Sequence, residues 1–292
     1  MEAYRAAADL LPDALRRAAE TLTEGEMRRC EEFRLRRGRA AAVVIAGGER
    51  RFTDAPVTGE DLRAVAETAA RASLHAVSEQ LRQGYLYAPG GVRVGVCGTA
   101  VMGPAGVEGL RAYSSLCLRI PRPVPGCADG IWREVTEGGF RSLLILSPPG
   151  AGKTTLLREL IRRLSGSGLR VCAADERGEL ADAAAGEPRF DLGEHTDVMT
   201  GMPKARAVMA FIRTMGPQVI AMDEITEEAD AAALLAAAGC GTELLATVHG
   251  REPEELLRRP ACRRLMEERV FRRCVTVEVR DGRRRYAVRE LS

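Results

Sequence analysis

The chain has 292 residues, of which 46% are hydrophobic, enough to bury the cores of two domains. Its 43 basic and 41 acidic side chains leave a net charge of +2, so bulk electrostatics single out no nucleic acid or other charged partner. No run of about 18 apolar residues occurs, which excludes a membrane-spanning helix.

In chain order, the acid-bearing start MEAYRAAADLLPDALRRAAE lacks a signal-peptide pattern, and its apolar spacing predicts a short amphipathic helix. EFRLRRGRAAAVVIAGGERRF reads as two or three strands with a turn at Gly47-Gly48. TGEDLRAVAETAARASLHAVSEQLRQG reads as helices opened by Thr58 as N-cap, with His75 given a structural place. YLYAPGGVRVGVCGTAVM predicts a hairpin about its Pro-Gly-Gly turn, and SSLCLRI a further strand. PRPVPG, residues 121–126, is the clearest linker signal, stiffened by three prolines. Residues 1–120 are thus read as a smaller α+β domain, 121–126 as a Pro-rich linker and 127–292 as a second domain.

Beyond the linker, the short apolar runs SLLILS, LRVCAAD, QVIAMDE and ELLATVHG alternate with helical stretches, the pattern of an α/β parallel sheet covered on both faces. CVTVEVRDGRRRYAVREL alternates with period two around Asp281-Gly282 and predicts a C-terminal β-hairpin. The eight cysteines show no Cys-x-x-Cys spacing and are read as buried free thiols of a reduced, cytoplasmic protein.

The chemistry centres on LLILSPPGAGKTT, residues 143–155. A phosphate-binding loop reads Gly, four free residues, then Gly-Lys-Ser/Thr, and follows a strand and opens a helix. Here the window is Ser147, Pro148, Pro149, Gly150, Ala151, Gly152, Lys153, Thr154, followed by Thr155; Ser147 stands where the leading Gly is expected. Gly150 and Gly152 let backbone amides curl around phosphate oxygens without a Cβ in the way. Lys153 would reach the β- and γ-phosphates of ATP, and the Thr154 hydroxyl would ligate Mg²⁺. Only two lysines, Lys153 and Lys204, occur among the 43 basic residues, so a lysine in this position is not a compositional accident.

QVIAMDEI places Asp223 and Glu224 at the carboxyl end of a buried strand, where α/β sheets bind ligands. Asp223 would hold the Mg²⁺ shell, and Glu224 would orient and deprotonate an attacking water. ELLATVHG ends on His249, whose strand should lie near the phosphate strand and bring the ring to the γ-phosphate. AADERGEL carries Asp175, Glu176, Arg177 and Glu179 at another strand end, either a solvated charge cluster or a group near nucleotide, with Arg213 as a candidate ion-pair partner. His195, on a loop, defaults to structure. The basic runs Arg34–Arg39, Arg258–Arg264 and Arg283–Arg285 are read as solvated faces or subunit contacts, and with aromatics at 4% no nucleic-acid partner is expected.

Taken together, GYLYAPGGVRVGVCGTAV, SSLCLRI, SPPGAGKTTLLRELIRRL, DERGEL, DLGEHTDVMTGMPKARAVMAFIRTMGPQVIAMDEI and TVHG resemble the stage III sporulation AA family, sporulation ATPases related to the type II and type IV secretion ATPases. The resemblance spans nearly the whole chain. It implies a RecA-like P-loop NTPase domain behind a smaller α+β N-terminal domain, and a homo-oligomer, hexameric in the relatives, with nucleotide between the two domains. It further implies a cytosolic ATPase of the mother cell, peripheral to the membrane, docked on the cytosolic face of the membrane protein channel that leads to the forespore. Lys153, Thr154, Asp223, Glu224 and His249 match the motor residues of those relatives, while Ser147 departs from their leading Gly. An arginine from the first domain, among Arg93, Arg111, Arg119 and Arg122, is a candidate to reach the nucleotide. A nucleotide-gated scaffold with little turnover and a nucleic-acid-stimulated ATPase are the rival readings.

Overall fold

The computed structural model describes all residues except 71–80, 83, 104–105, 122–123, 182–189, 281–282 and 292, and the backbone alone at 283. His75, Arg122 and the Asp281-Gly282 turn therefore lie outside the described residues. The chain divides into two compact units, Met1–Arg122 and Pro123–Ser292.

In the first unit, helices α1 (Glu2–Ala8), α2 (Asp13–Glu20) and α3 (Glu24–Arg29) precede strands β1 (Cys30–Arg36), β2 (Ala40–Ile45) and β3 (Gly48–Pro56). Helix α4 (Gly59–Ala69) and strands β4 (Tyr85–Ala88), β5 (Val92–Gly103) and β6 (Gly106–Arg119) follow. The expected single N-terminal helix is two. Pro12, at ψ 153°, sits outside helical space and disfavours it for the residue before, so the chain breaks there. Thr58 caps α4 as expected, accepting from the Asp61 N–H while Asp61 accepts from the Thr58 N–H. The strands pair antiparallel in the order β3-β2-β1-β6-β5-β4, around buried Phe33, Leu35, Leu62, Leu86, Leu116 and Leu118. β6 begins at Gly106, well ahead of Ser114. Its first half is largely exposed, so no apolar alternation announces it.

The second unit runs α5 (Asp129–Thr136), β7 (Leu143–Ser147), α6 (Lys153–Gly166), β8 (Val171–Asp175), β9 (Thr196–Thr200) and α7 (Lys204–Thr214). It continues with β10 (Val219–Met222), α8 (Glu228–Gly239), β11 (Glu243–His249), α9 (Pro260–Glu267), β12 (Arg273–Arg280) and β13 (Arg283–Glu290). The sheet order is β13-β12-β7-β11-β10-β8-β9, parallel throughout except for β13, which pairs antiparallel with β12. Successive strand residues feed opposite cores: Leu144 and Leu146 pack with Phe211, Ile220 and Leu234, whereas Leu143 and Ile145 pack with Leu157, Leu160 and Val171. Burial on both faces is why these strands read as continuous apolar runs. β9 (TDVMT) carries no clear strand signal in the sequence, since an edge strand needs neither apolar run nor strict alternation. The register pairs His249 with Ser147 and Met222 with Ala246, so the carboxyl ends of β7, β11 and β10 lie side by side.

Candidate nucleotide site

The loop after β7 turns through Gly150 at φ 75° and Gly152 at φ 104°, backbone that L side chains rarely adopt. A Cβ on Gly150 would meet nothing within 4 Å, so the loop mouth is open. Lys153 starts α6 and is only 7% exposed. Its ammonium lies 2.7 Å from His249 Nδ1 and 3.4 Å from the Ser147 carbonyl oxygen, which accepts from it. Burial pushes the Lys153 pKa down, opposed by the Asp223 and Glu224 carboxylates. A buried cation beneath an open, glycine-lined turn is electrostatically unfinished, and phosphate oxygens would complete it.

Across the sheet, Thr154 Oγ1 donates to Asp223 Oδ2 at 2.8 Å, and Thr247 Oγ1 donates to Asp223 Oδ1 at 2.7 Å. The Thr247 hydroxyl also accepts from the Glu224 N–H at 2.8 Å, so one buried hydroxyl orients both acids. Among the described residues no group of three or more His, Cys, Asp or Glu is placed to hold a metal. Thr154 and Asp223 do offer a hydroxyl and a carboxylate in contact, hard oxygen donors that fit Mg²⁺, which takes its remaining ligands from phosphate and water.

Glu224 has φ 54°, a left-handed conformation that costs a non-glycine residue on the order of 1 kcal/mol. Two contacts hold it there. Its N–H is fixed by Thr247, and its carbonyl accepts from Lys204 Nζ at 2.5 Å. The Lys204 ammonium also reaches Thr226 Oγ1 and Asp230 Oδ2, both at 3.2 Å. The Glu224 carboxylate then faces His249 Nε2 at 3.2 Å and Arg177 Nη1 at 3.8 Å. Because His249 Nδ1 accepts from an ammonium, Nε2 carries the proton and donates to Glu224. A polar cavity of about 20 Å³, room for one water, opens beside Asp175, Glu176, Arg177, Lys204, Asp223 and Glu224.

The charge cluster after β8 divides. Asp175 is buried and accepts from the Leu180 and Ala181 N–H groups at 3.0 and 2.9 Å, a structural use of its carboxylate. Burial raises its pKa while those donors lower it. Glu176 accepts from the Lys204 N–H at 3.3 Å, at the start of α7. Arg177 does reach the site, but Arg213 does not. It is exposed in the last turn of α7, nine residues and about 13 Å along the helix from Lys204. The expected pairing of Arg213 with these carboxylates is thus corrected, because helical rise carries it away from them. His195 has a backbone role: its N–H donates to Ser165 Oγ and its carbonyl accepts from the Val171 N–H. In the first unit, Arg93 stacks 5.1 Å over the Tyr85 ring, Arg111 lies on β6, and Arg119 Nε pairs with Glu32 Oε1 at 3.1 Å.

Residues 2–287 match the family described as sporulation stage III, protein AA. The chain belongs to this family. Stage III sporulation protein AA of Bacillus subtilis (strain 168) is 34% identical over 281 residues, covering 94% of this chain and 91% of that protein. Among solved structures, the ATPase DotB of Legionella pneumophila superposes with a TM-score of 0.65 at 19% identity, over 95% of this chain and 80% of its own. The pilus retraction motor PilT, solved with bound ADP, gives 0.59 at 15% identity over 89% and 78% of the two chains. These likenesses show the fold: a RecA-like α/β unit with a parallel sheet, preceded along the chain by a smaller α+β unit, as the sequence suggests.

In this stage III sporulation AA chain, sequence reasoning missed Thr247 and Lys204 at the site. Thr247 had a signal, as the polar residue within the buried run LLATV. Lys204 had another, as the second of two lysines in an arginine-rich chain. Thr247 acts on the Glu224 N–H and the Asp223 carboxylate, and Lys204 on the Glu224 carbonyl.

Proposed function

We propose that this family member is a Mg²⁺-dependent ATPase of the secretion-ATPase type, hydrolysing ATP to ADP and phosphate. The observation that carries the reading is the convergence of Lys153, Thr154, Asp223, Glu224 and His249 at three adjacent strand ends. Lys153 leaves His249 to take phosphate oxygens, its charge no longer buried without a full counter-charge. The amides of Gly150 to Thr155 complete the cradle at the α6 N-terminus. Thr154 and Asp223 would hold Mg²⁺, which would neutralise charge on the phosphates when bound. Glu224 orients a water and accepts its proton, with the water-sized cavity beside it as the place where that water waits. His249, which bridges Lys153 and Glu224, makes the carboxylate sensitive to whether the ammonium is engaged by phosphate.

The family and fold support a homo-oligomer, a hexamer by likeness to the relatives, on the cytosolic face of a membrane channel complex in the mother cell. No described helix is long and apolar enough to cross a membrane, so such a location would rest on partner proteins. The test is steady-state phosphate release with Mg²⁺, with and without DNA or RNA. ATP-dependent release that Glu224→Gln abolishes is expected. Binding without release would identify a nucleotide-gated scaffold, and release only with nucleic acid would identify the other rival.

A further inference from the structure

The basic run Arg283–Arg285 reads from sequence as a solvated face or subunit contact, but the fold separates its members. Strand alternation puts Arg284, Tyr286 and Val288 on one face of β13 and Arg285 on the other, both arginines being exposed. Tyr286 and Val288 pack against the core cluster that contains Ala151 and Leu156, and burial pushes the Tyr286 hydroxyl up to about 12. That anchor brings Arg284 onto the phosphate loop. Its Nε donates to the Ala151 carbonyl at 2.9 Å, and a Cβ on Gly152 would stand 2.5 Å from the same nitrogen. The guanidinium therefore lies against bare backbone at the turn into α6.

We propose that Arg284 is a positioning residue of the phosphate loop, carried by the C-terminal hairpin; this rests on the nucleotide reading above. A trans peptide points its carbonyl and its N–H in opposite directions. Arg284 holds the Ala151 carbonyl from outside, and so turns the Gly152 N–H to the inner side, where a phosphate oxygen accepts it. Without the brace, a loop with two glycines at positive φ is free to rotate that peptide, and binding must then order it. The side chain also occupies the space that only a glycine at residue 152 leaves open. The hairpin thereby couples the sheet edge to nucleotide affinity.

The test measures ATP and ADP binding by the full chain, with Mg²⁺, in Arg284→Met, Arg284→Lys and Arg285→Met. Arg284→Met keeps the bulk without a donor and should weaken both nucleotides roughly tenfold, the worth of one lost hydrogen bond. Arg284→Lys keeps a donor able to reach the carbonyl and should recover most of that loss. Arg285→Met, equal in charge but facing away, should bind as the parent does, and the unfolding midpoint without nucleotide should match in all four chains. Parent-like affinity in Arg284→Met, or an equal loss in Arg285→Met, overturns the role of Arg284 while leaving the nucleotide reading intact. A loss in Arg284→Met that Lys does not restore, or that follows a lowered midpoint, likewise overturns it. A parent chain that binds neither nucleotide overturns the underlying reading itself.

Discussion

Lys153 Nζ lies 2.7 Å from His249 Nδ1, so the ammonium of the phosphate loop is held by an imidazole on the neighbouring strand rather than by a carboxylate. Parallel pairing of Ser147 with His249 sets this contact, and the same ring passes it on to Glu224 through Nε2 at 3.2 Å. Without nucleotide the three side chains form a continuous relay. A phosphate at the loop competes with His249 for Lys153, and the relay opens at its first link.

The buried ammonium itself has a measurable cost. Burial holds the Lys153 pKa below its usual value, so the folded state disfavours the charged form. The penalty is complete below the depressed folded pKa and fades as pH rises through it toward the unfolded value. Lys153→Met should therefore raise the unfolding midpoint of the nucleotide-free chain at neutral pH, with the gain shrinking in alkali. It should also abolish the stabilisation that ATP gives the parent, and Lys153→Arg should fail to restore it because a planar fork does not replace a compact ammonium between the Ser147 carbonyl and His249. Thermal unfolding at several pH values, with and without ATP, measures all of this; a lower midpoint in Lys153→Met would refute the strain assigned to the ammonium.

Thr247→Val removes one hydroxyl and leaves the volume. The Glu224 N–H then lacks an acceptor, and Asp223 loses one of the donors that aim it. The expected cost is about 1–3 kcal/mol of stability, with phosphate release falling more than in Thr247→Ser, which keeps the hydroxyl. Equal rates in the two variants would separate Thr247 from the chemistry.

The loop and the acidic strand end were legible because each is written in consecutive residues whose chemistry is local: glycines beside a lysine, and acids closing an apolar run. His249 was legible through strand order alone, since parallel register carries a strand-end residue to its neighbour's end. Proximity in sequence to the acidic strand suggests a pairing for Arg213 that the axial length of α7 removes. Arg284 is opaque in the sequence, and Lys204 is marked there only by the rarity of lysine, for a different reason. Each reaches a backbone carbonyl, of Glu224 or of Ala151, and a carbonyl leaves no mark on the sequence.

Lys204 tests whether the left-handed backbone at Glu224 matters to turnover. Lys204→Met leaves Asp230, only 3% exposed, without its cation, and should destabilise the chain by about 3 kcal/mol or more. Adding Asp230→Asn removes the unpaired charge while keeping an oxygen that accepts from the Thr226 and Glu227 N–H groups, and should restore much of that stability. Phosphate release should stay low in the double variant, because only the Thr247 contact then holds the Glu224 backbone at φ 54°. Turnover that recovers along with stability would make Lys204 a scaffold residue only.

Glu224→Gln divides motor from scaffold. Water is a weak nucleophile, so a carboxylate must orient it and take its proton; glutamine keeps the shape and one acceptor oxygen but cannot accept that proton. Lys153, Thr154 and Asp223 are untouched, and His249 Nε2 can still donate to the amide oxygen, so ATP binding should persist. Turnover should fall by roughly 10²–10⁴-fold, the usual worth of a general base. If assembly follows ATP occupancy, the variant should also remain in its larger ATP-bound oligomer, since hydrolysis no longer resets it. Nucleotide affinity, phosphate release and mass by light scattering, all with Mg²⁺, decide the matter. Unchanged release would remove Glu224 from the mechanism and turn attention to Glu176 and Glu179, which border the same water-sized cavity. Lost binding would instead mean that Glu224 holds the metal and has exchanged roles with Asp223.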